Sequence, residues 1–564
     1  MPDDLFLITG GGTGAKVAES LVHLCAAGMG PERLHLLLID SDTSNGNLRR
    51  TRETIRSYGD MQKWPWSFST RASRGGFGEE GTDTISLFGT QVEKYEITEQ
   101  IKTVHQGGLE TAVETSEMDD VLDLLYDEDE QRATCEDGFR ARPNLGCLLM
   151  SEHLNKRLTE EASGFVNDLE NALSAGGRIP VVVAASVFGG TGASLFPVIQ
   201  NCIEGALKNQ QAASNIEWGA VQLLPHYQPR EKKESVDPDR FFLDSSSALQ
   251  YYSTTQNGTS GNGSAEGPLF DGLYVIGSDN PGRNTVETVL GSGGQANPPY
   301  FEEVIAGLAV LDVSRRQDGR PVRIYDPNTL NWESLPYGDT DSLQHRVALL
   351  LHLSAFYLQP STRSTESQME KGLGEMTRDV SGQDLQMYGW YDTILDEWAD
   401  RTQGAYASAE ENRKVQTLRS SVGDQSISSM NEKAAEFFGR HLLWTETALK
   451  GEGLSFVDYE EGSYARIYDA MSEVEPDEID HGRDGSRLQP EQDNALARAL
   501  RTAAAALTYD HRRTNDKGLL SRISLFDEDS GIPLRITKQQ VRQALRSFNR
   551  SDVETEYTKT RPGA

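Results

Sequence analysis

LFLITGGGTGAKVAESL (residues 5–21) and IPVVVAASVFGGTGASLFPVIQ (residues 179–200) share one plan: an apolar run breaks into glycines and then into an amphipathic helix. A buried strand that turns through glycines into a helix presents free backbone N–H groups and the positive helix end to an anion. One such turn is common to dinucleotide enzymes, phosphate binders and plain tight turns. Two of them in one domain imply a single phosphorylated ligand gripped from both sides.

Working outward, Leu5–Thr9 reads as a strand, Ala15–Ala26 as a helix, and Leu34–Ile39 as a second apolar strand ending at Asp40, a βαβ opening. Residues 64–81 have the glycine and polar content of a long excursion, and residues 114–137 are acidic and partly helical. Arg140–Gly146 is a turn-forming loop leading to a helix through Ala172. After the second glycine turn come a strand at Trp218–Leu224, a helix at Arg240–Tyr252, a polar loop at residues 257–267, a strand at Asp271–Gly277 and a helix from Pro299 to Val313. This alternation predicts an α/β fold with a mostly parallel sheet covered on both faces. Beyond Asp318 the pattern changes to helices at residues 343–358, 432–449 and 495–507 separated by acidic linkers. The expected division is a nucleotide-binding domain over residues 1–315 and a mixed, helix-rich domain over residues 316–564.

The chain has 564 residues, 37% of them hydrophobic, enough for a full core and two domains. A formal charge of −32 argues against nucleic acid as the main partner, because phosphate repulsion opposes every approach. The opening MPDDLFLITG carries no basic segment leading into a long apolar one, so a cytoplasmic protein without a secretory signal is expected. The run VALLLHLSAFYL (residues 347–358) is too short for a membrane span and reads as a buried helix. Cys25, Cys135, Cys147 and Cys202 lack CxxC spacing and read as reduced, mostly buried thiols.

Gly10, Gly11, Gly12 and Gly14, with Thr13 among them, free the backbone to face a phosphate. Hydrogen bonds to a charged acceptor contribute about 1.5–3 kcal/mol each, so three or four hold a nucleotide without any lysine. A Walker loop is excluded, since Ala15 precedes Lys16 where glycine is required and Val17 stands where the magnesium-binding hydroxyl belongs. A Rossmann dinucleotide site competes: Gly10-x-Gly12-x-x-Ala15 fits its fingerprint, and Asp40 ends the second strand where a ribose-binding acid would sit. A short-chain dehydrogenase would need a Tyr-x-x-x-Lys pair, which the chain lacks. A Rossmann enzyme has no use for a second diphosphate cradle, and the turn at Gly189–Gly192 therefore favours a mononucleotide.

Gly189-Gly190-Thr191-Gly192-Ala193-Ser194 resembles the GGGTGTG or GGGTGSG loop of the tubulin and FtsZ superfamily, with Phe188 in place of the first glycine, and the closest likeness is to its divergent bacterial branch. The order of further matches supports the resemblance. The turn at Gly10–Gly14 is similar to the family's first phosphate loop, and Asp40-Ser41-Asp42 falls where FtsZ has Asn-Thr-Asp. Ala141-Arg142-Pro143-Asn144-Leu145-Gly146 resembles the loop that senses the terminal phosphate. Asp279-Asn280 resembles the guanine-reading pair, and Asn297 stands near a second base contact before the family's central helix. The resemblance covers residues 5–315.

It implies a GTP- or GDP-binding protein that associates head to tail with itself, nucleotide at the junction, Mg²⁺ held through Asp42 or Asp40, and slow GTP hydrolysis. Thr191 would add a hydroxyl to a phosphate. Ser194 does the same or caps its helix; Asp42 binds the ion or caps a turn; Asn280 and Asn297 read the base or serve turns; Arg142, with Arg140, neutralises the terminal phosphate or is surface charge. The family's Asn-x-Asp-x-x-Asp pattern is missing from residues 314–327, where Asp318 and Asp326 are the only acids to position water. Two rival functions follow: a non-hydrolysing, nucleotide-responsive scaffold recruiting a protein through its C-terminal half, and a Rossmann NAD(P) oxidoreductase.

Overall fold

The structure is a computed structural model. It describes residues 3–97 with short breaks at 43–44, 63–68 and 74–81, then 143–229, 238–256, 269–277, 285–286 and 297–337 with breaks at 314 and 316–321. Residues 124, 126 and 139 and scattered helical positions at 343–354 and 433–449 complete it.

The strands are β1 (Asp4–Gly10), β2 (Arg33–Ile39), β3 (Gln91–Ile97), β4 (Ile179–Ser186), β5 (Ile216–Leu223), β6 (Gly272–Ile276) and β7 (Val322–Tyr325). They form one seven-stranded sheet in the order β7-β6-β5-β4-β1-β2-β3, every pair parallel. The helices are α1 (Gly11–Ala26), α2 (Gly46–Gln62), α3 (Pro143–Glu160), α4 (Ser163–Ala175), α5 (Gly190–Leu195), α6 (Ile199–Ala206), α7 (Pro238–Gln256) and α8 (Phe301–Val313).

Continuous apolar runs form the inner strands because a parallel sheet covered on both faces offers no solvated side. Leu5 and Leu7 of β1 and Val182 and Ala184 of β4 join one core with α1 and α8. Phe6 and Ile8, with Val181, Val183 and Ala185, join a second core with α3, α4 and α6. The α/β expectation with a parallel sheet therefore holds.

The details depart from the sequence reading in instructive ways. Helix α1 starts at Gly11, so the glycines are its first turn and not a loop ahead of it. Helix α3 starts at Pro143 inside the stretch expected to be a loop, proline being suited to a first helical position, and the helical run breaks at residues 161–162 before α4. Strand β3, QVEKYEI, was not foreseen; it is polar because it lies at the sheet's edge. The residues after α8, expected as a catalytic loop, contain β7 at the opposite edge. Residues 69–73 and 82–86, partly in the expected excursion, pair as an antiparallel ribbon.

The segments at 114–123, 257–267 and 495–507 lie outside the described residues. Of the C-terminal half, Leu343, Val347, Leu350, Phe437, Phe438, Trp444, Ala448 and Leu449 share the core of α1 and α8. Arg346 donates to the Gly28 carbonyl. Among the described residues no helix is long and apolar enough to cross a membrane. Cys25 and Cys202 are buried and Cys147 is half-buried, all three free thiols.

Gly146, in the first turn of α3, is where that helix meets α5: a Cβ there would fall 2.7 Å from both Ser194 Cβ and Phe139 Cδ2. Gly146→Ala should therefore lower the unfolding free energy by about 1–3 kcal/mol in denaturant titration, whereas a neutral change would mean the two helices are not in contact.

Candidate functional site

Strands β1 and β4 are neighbours, Gly10 opposite Ala185, and the helices that follow them start side by side. A Cβ on Gly10 would lie 3.1 Å from Gly192 Cα, and one on Gly192 would lie 3.2 Å from the Gly10 carbonyl oxygen and 2.9 Å from that of Ser186. The two turns are thus in close backbone contact, tight enough that a Cβ at either position would force its neighbour to shift. Gly11 adopts φ +69°, a conformation that favours glycine. Neither Gly10 before α1 nor Gly189 before α5 offers a side-chain cap, and neither helix carries an acid in its first turn. The first N–H groups of both helices thus lack a capping side chain at the point where the strand order reverses. In open α/β sheets that point is the ligand crevice.

A third wall comes from residues 40–47 at the end of β2. Asp40 is 3% exposed; its Oδ1 accepts from the Asp42 N–H at 3.1 Å and from Thr191 Oγ1 at 3.5 Å, and its Oδ2 accepts from Asn45 Nδ2 at 3.0 Å. Ser41 Oγ lies 3.0 Å from Thr191 Oγ1. Asn45 in turn lies over the first turn, its Nδ2 2.7 Å from where a Gly12 Cβ would be. Burial, reinforced by the neighbouring charge of Asp42, raises the Asp40 carboxyl to about 7 against the pull of its hydrogen bonds. Asp42 is half-buried beside it. No group of three or more His, Cys, Asp or Glu among the described residues is arranged to hold a metal, so an ion here would need oxygens from its ligand.

Ser194 is fully buried, and its hydroxyl donates to the Gly190 carbonyl at 2.6 Å with the Pro143 carbonyl also within reach at 3.1 Å. It ties α5 to the start of α3. Ala193 is buried with it, and Asn144, in the first turn of α3, is exposed, its carbonyl accepting from Tyr126. Asn297 is 2% exposed, and its Oδ1 has no hydrogen-bond partner.

Arg142, Asn280 and Asp318, with Arg140 and Asp279, lie outside the described residues. Asp326 follows β7, and its Oδ1 accepts from the Asn328 N–H at 3.0 Å in a tight turn. Strands β4, β5 and β6 separate β7 from β1, four spacings or ~19 Å along the sheet, so Asp326 is remote from its own chain's glycine turns.

The structure adds residues that spacing did not single out. Lys16 of α1 is 1% exposed and ion-paired with Glu303 of α8, and its ammonium faces the rings of Tyr300 at 4.9 Å and Tyr227 at 5.2 Å. Burial raises the Tyr227 hydroxyl to about 12, and the nearby Thr13 side chain offsets part of that rise. His226 Nε2 donates to Glu303 Oε1 at 2.8 Å, while Nδ1 lies 2.9 Å from the Leu224 carbonyl. Burial disfavours the imidazolium, yet Glu303 outweighs it and raises His226. Burial likewise opposes the Glu303 carboxylate, but Lys16 and His226 hold it well below the usual range. Phe188 packs on Tyr227 at 5.5 Å and His226 at 6.0 Å. The only local signal was Lys16 itself, a cation one turn into a glycine motif; Glu303 and His226 are linked to it only by the fold.

Fold and site define an α/β protein with a wholly parallel sheet and a crevice walled by two glycine turns. No protein-family model, curated protein or solved structure matches the chain.

The folded-state value at Asp40 lies above the unfolded 3.8, so folding takes up a proton there. The resulting stabilisation is complete below about pH 4 and is lost as pH rises through about 7. In thermal melts of the ligand-free chain, wild type should lose about 2–3 kcal/mol relative to Asp40→Asn between pH 5 and 8, and a constant difference would place the carboxyl in water.

Proposed function

We propose that the chain binds the polyphosphate of a guanosine nucleotide between the turns at Gly10–Gly14 and Gly189–Gly192, in the manner of the tubulin and FtsZ superfamily it resembles. The observation that carries this reading is the backbone contact between Gly10 and Gly192, which aims two uncapped helix starts at one volume. The phosphates lie across both helix N-termini, where charge-assisted N–H bonds hold them. Thr191 is held at the lip by Ser41 and Asp40 and turns its hydroxyl to the ligand when it binds. Asp42 would hold Mg²⁺, largely through water, and the ion would supply positive charge to offset that of the phosphates. The unpartnered acceptor of Asn297 suits the N–H donors on the guanine edge.

A dinucleotide enzyme would use the same strand order, so the sheet alone does not separate the two functions. Asp40 favours the mononucleotide. A ribose-binding acid needs a free carboxylate at the end of β2, and this one is buried and occupied by Asn45, the Asp42 N–H and Thr191. Head-to-tail association brings the loop after α8 of one copy onto the nucleotide of the next, where Asp318 or Asp326 orients water. A nucleotide between identical subunits makes a heterologous contact, which gives a filament unless it closes into a ring. A chain that binds GTP without cleaving it would instead be the nucleotide-responsive scaffold.

Chromatography of the small molecule released on denaturing the purified protein should yield GTP or GDP; NAD or NADP would overturn the proposal. Thr191→Val should weaken binding of labelled GTP about tenfold or more, as loss of one hydrogen bond to a charged group predicts, and unchanged affinity would remove Thr191 from the site. Phosphate release at high protein concentration should fall at least about tenfold in Asp326→Asn if that acid orients water; release undiminished by this change would assign the role elsewhere, and none in wild type would leave the scaffold.

A further inference from the structure

The backbone cradle has a cation beside it that the motif does not call for. Helix side chains lean toward the helix N-terminus, so Lys16, five residues and ~7.5 Å of axis beyond Gly11, carries its ammonium back over the first turn. Tyr227 marks the place: its ring lies 5.2 Å from that ammonium, and the Thr13 side chain within the glycine turn is close enough to act on its hydroxyl. There the ammonium has one anionic partner, Glu303, and shares it. Lys16 Nζ and His226 Nε2 converge on the same oxygen, Oε1, while Oε2 accepts from the Tyr300 N–H at 2.7 Å. Beyond that carboxylate, Lys16 has no hydrogen-bond acceptor among the described residues for its three donors, although it is 1% exposed.

A buried ammonium normally collects acceptors for its N–H groups, because each one left bare in a dry interior is costly. Of the neighbouring charges, Arg50 is taken up by Glu19 at 2.9 Å, and Glu302, next to Glu303 on α8, adds negative charge near His226. We infer that Lys16 is a phosphate ligand held in reserve: when a polyphosphate enters the glycine turns, the ammonium leaves the shared oxygen of Glu303 for a phosphate oxygen, and His226 keeps Glu303 as its own partner. The exchange gives each cation a separate anion. It also links occupancy of the first turn to α8, since Glu303 is released from one of its two cations. Tyr227 and Tyr300 line the swing with aromatic faces, which tolerate a cation without fixing its direction. The inference rests on the nucleotide reading above and extends it, because a cradle made only of N–H groups needs no lysine.

The test is binding of labelled GTP and of guanosine to the full chain, with melting of each protein with and without GTP. In Lys16→Met the ratio of GTP to guanosine affinity falls about tenfold or more, as loss of a charged hydrogen-bond partner predicts, and the ligand-free chain melts at or near the wild-type temperature because Glu303 retains His226. Glu303→Gln moves the other way: it melts lower without nucleotide, and GTP raises its melting temperature by more than it raises that of wild type. Lys16→Met with an unchanged affinity ratio overturns the assignment and leaves the nucleotide reading intact. Should Lys16→Met fail to fold, a GTP-induced shift in Glu303→Gln no larger than in wild type overturns it instead. Wild type that binds neither GTP nor GDP overturns both.

Discussion

The contact between Gly10 and Gly192 is the constraint on which the rest of the structure depends. With hydrogen as the only side chain, the end of β1 and the start of α5 approach until a Cβ on either would strike the other's backbone. That approach sets the spacing of α1 and α5, and the neighbouring segments are fitted to it. Ser41 and Asp40 reach Thr191 from one flank, and Pro143 and Gly146 close on Ser194 from the other. Strands on either side hold the turns, and the hydroxyls of Ser41, Thr191 and Ser194 tie them to their neighbours. Preorganised donors cost little further ordering when an anion binds.

Helix α1 occupies the centre of that arrangement, and nearly all of its residues are buried, including Lys16, Glu19, Ser20 and His23. Each of these meets a partner from a distant part of the chain. Lys16 pairs with Glu303, Glu19 with Arg50, Ser20 with the Trp444 indole at 3.1 Å, and His23 with His441 at 3.3 Å between their Nδ1 atoms. Burial, aided by neighbouring His441, Arg440 and Arg50, lowers His23 well below the usual imidazole range, and burial alone lowers His441 to about 3. Both rings are thus neutral at ordinary pH and stack with Trp444 and Phe437 as apolar surfaces. The helix that begins at the first glycine turn is thereby clasped by α2, α8 and the side chains of Phe437, His441 and Trp444. A displacement of its first turn would be felt at all three.

That enclosure explains which features were legible in the sequence. Runs such as Leu34–Ile39 and Val181–Ala185 declare themselves because a strand buried on both faces has no polar positions. The two glycine turns declare themselves because few other contexts need so many residues without a Cβ. Strand β3 hides because its edge position lets it carry Glu93, Lys94 and Glu96, and β7 hides behind a stretch rich in arginine. The polar stripe Lys16, Glu19 and His23 reads locally as a solvated helix face, yet Glu303, Arg50 and His441 bury it. These partners stand 287, 31 and 418 positions away, distances at which neither periodicity nor spacing carries information. Asp40 was visible as a site residue, but its burial depends on Thr191, 151 positions on.

Asp40 also bears on what the crevice accepts. An ionised carboxylate there would face the same volume as an incoming polyphosphate, and like charges in a dry site repel strongly. Burial raises this group to about 7, so close to neutrality a substantial share of molecules carry it protonated, and the Asp42 N–H, Asn45 and Thr191 bind its oxygens without requiring full charge. A nearby divalent cation would lower it again and favour the carboxylate. Phosphate alone and phosphate with a metal ion therefore push the same group in opposite directions. If the polyphosphate and Mg²⁺ proposed above bind there, Asp40, beside Asp42 and against the second turn, would couple the anion to its accompanying cation.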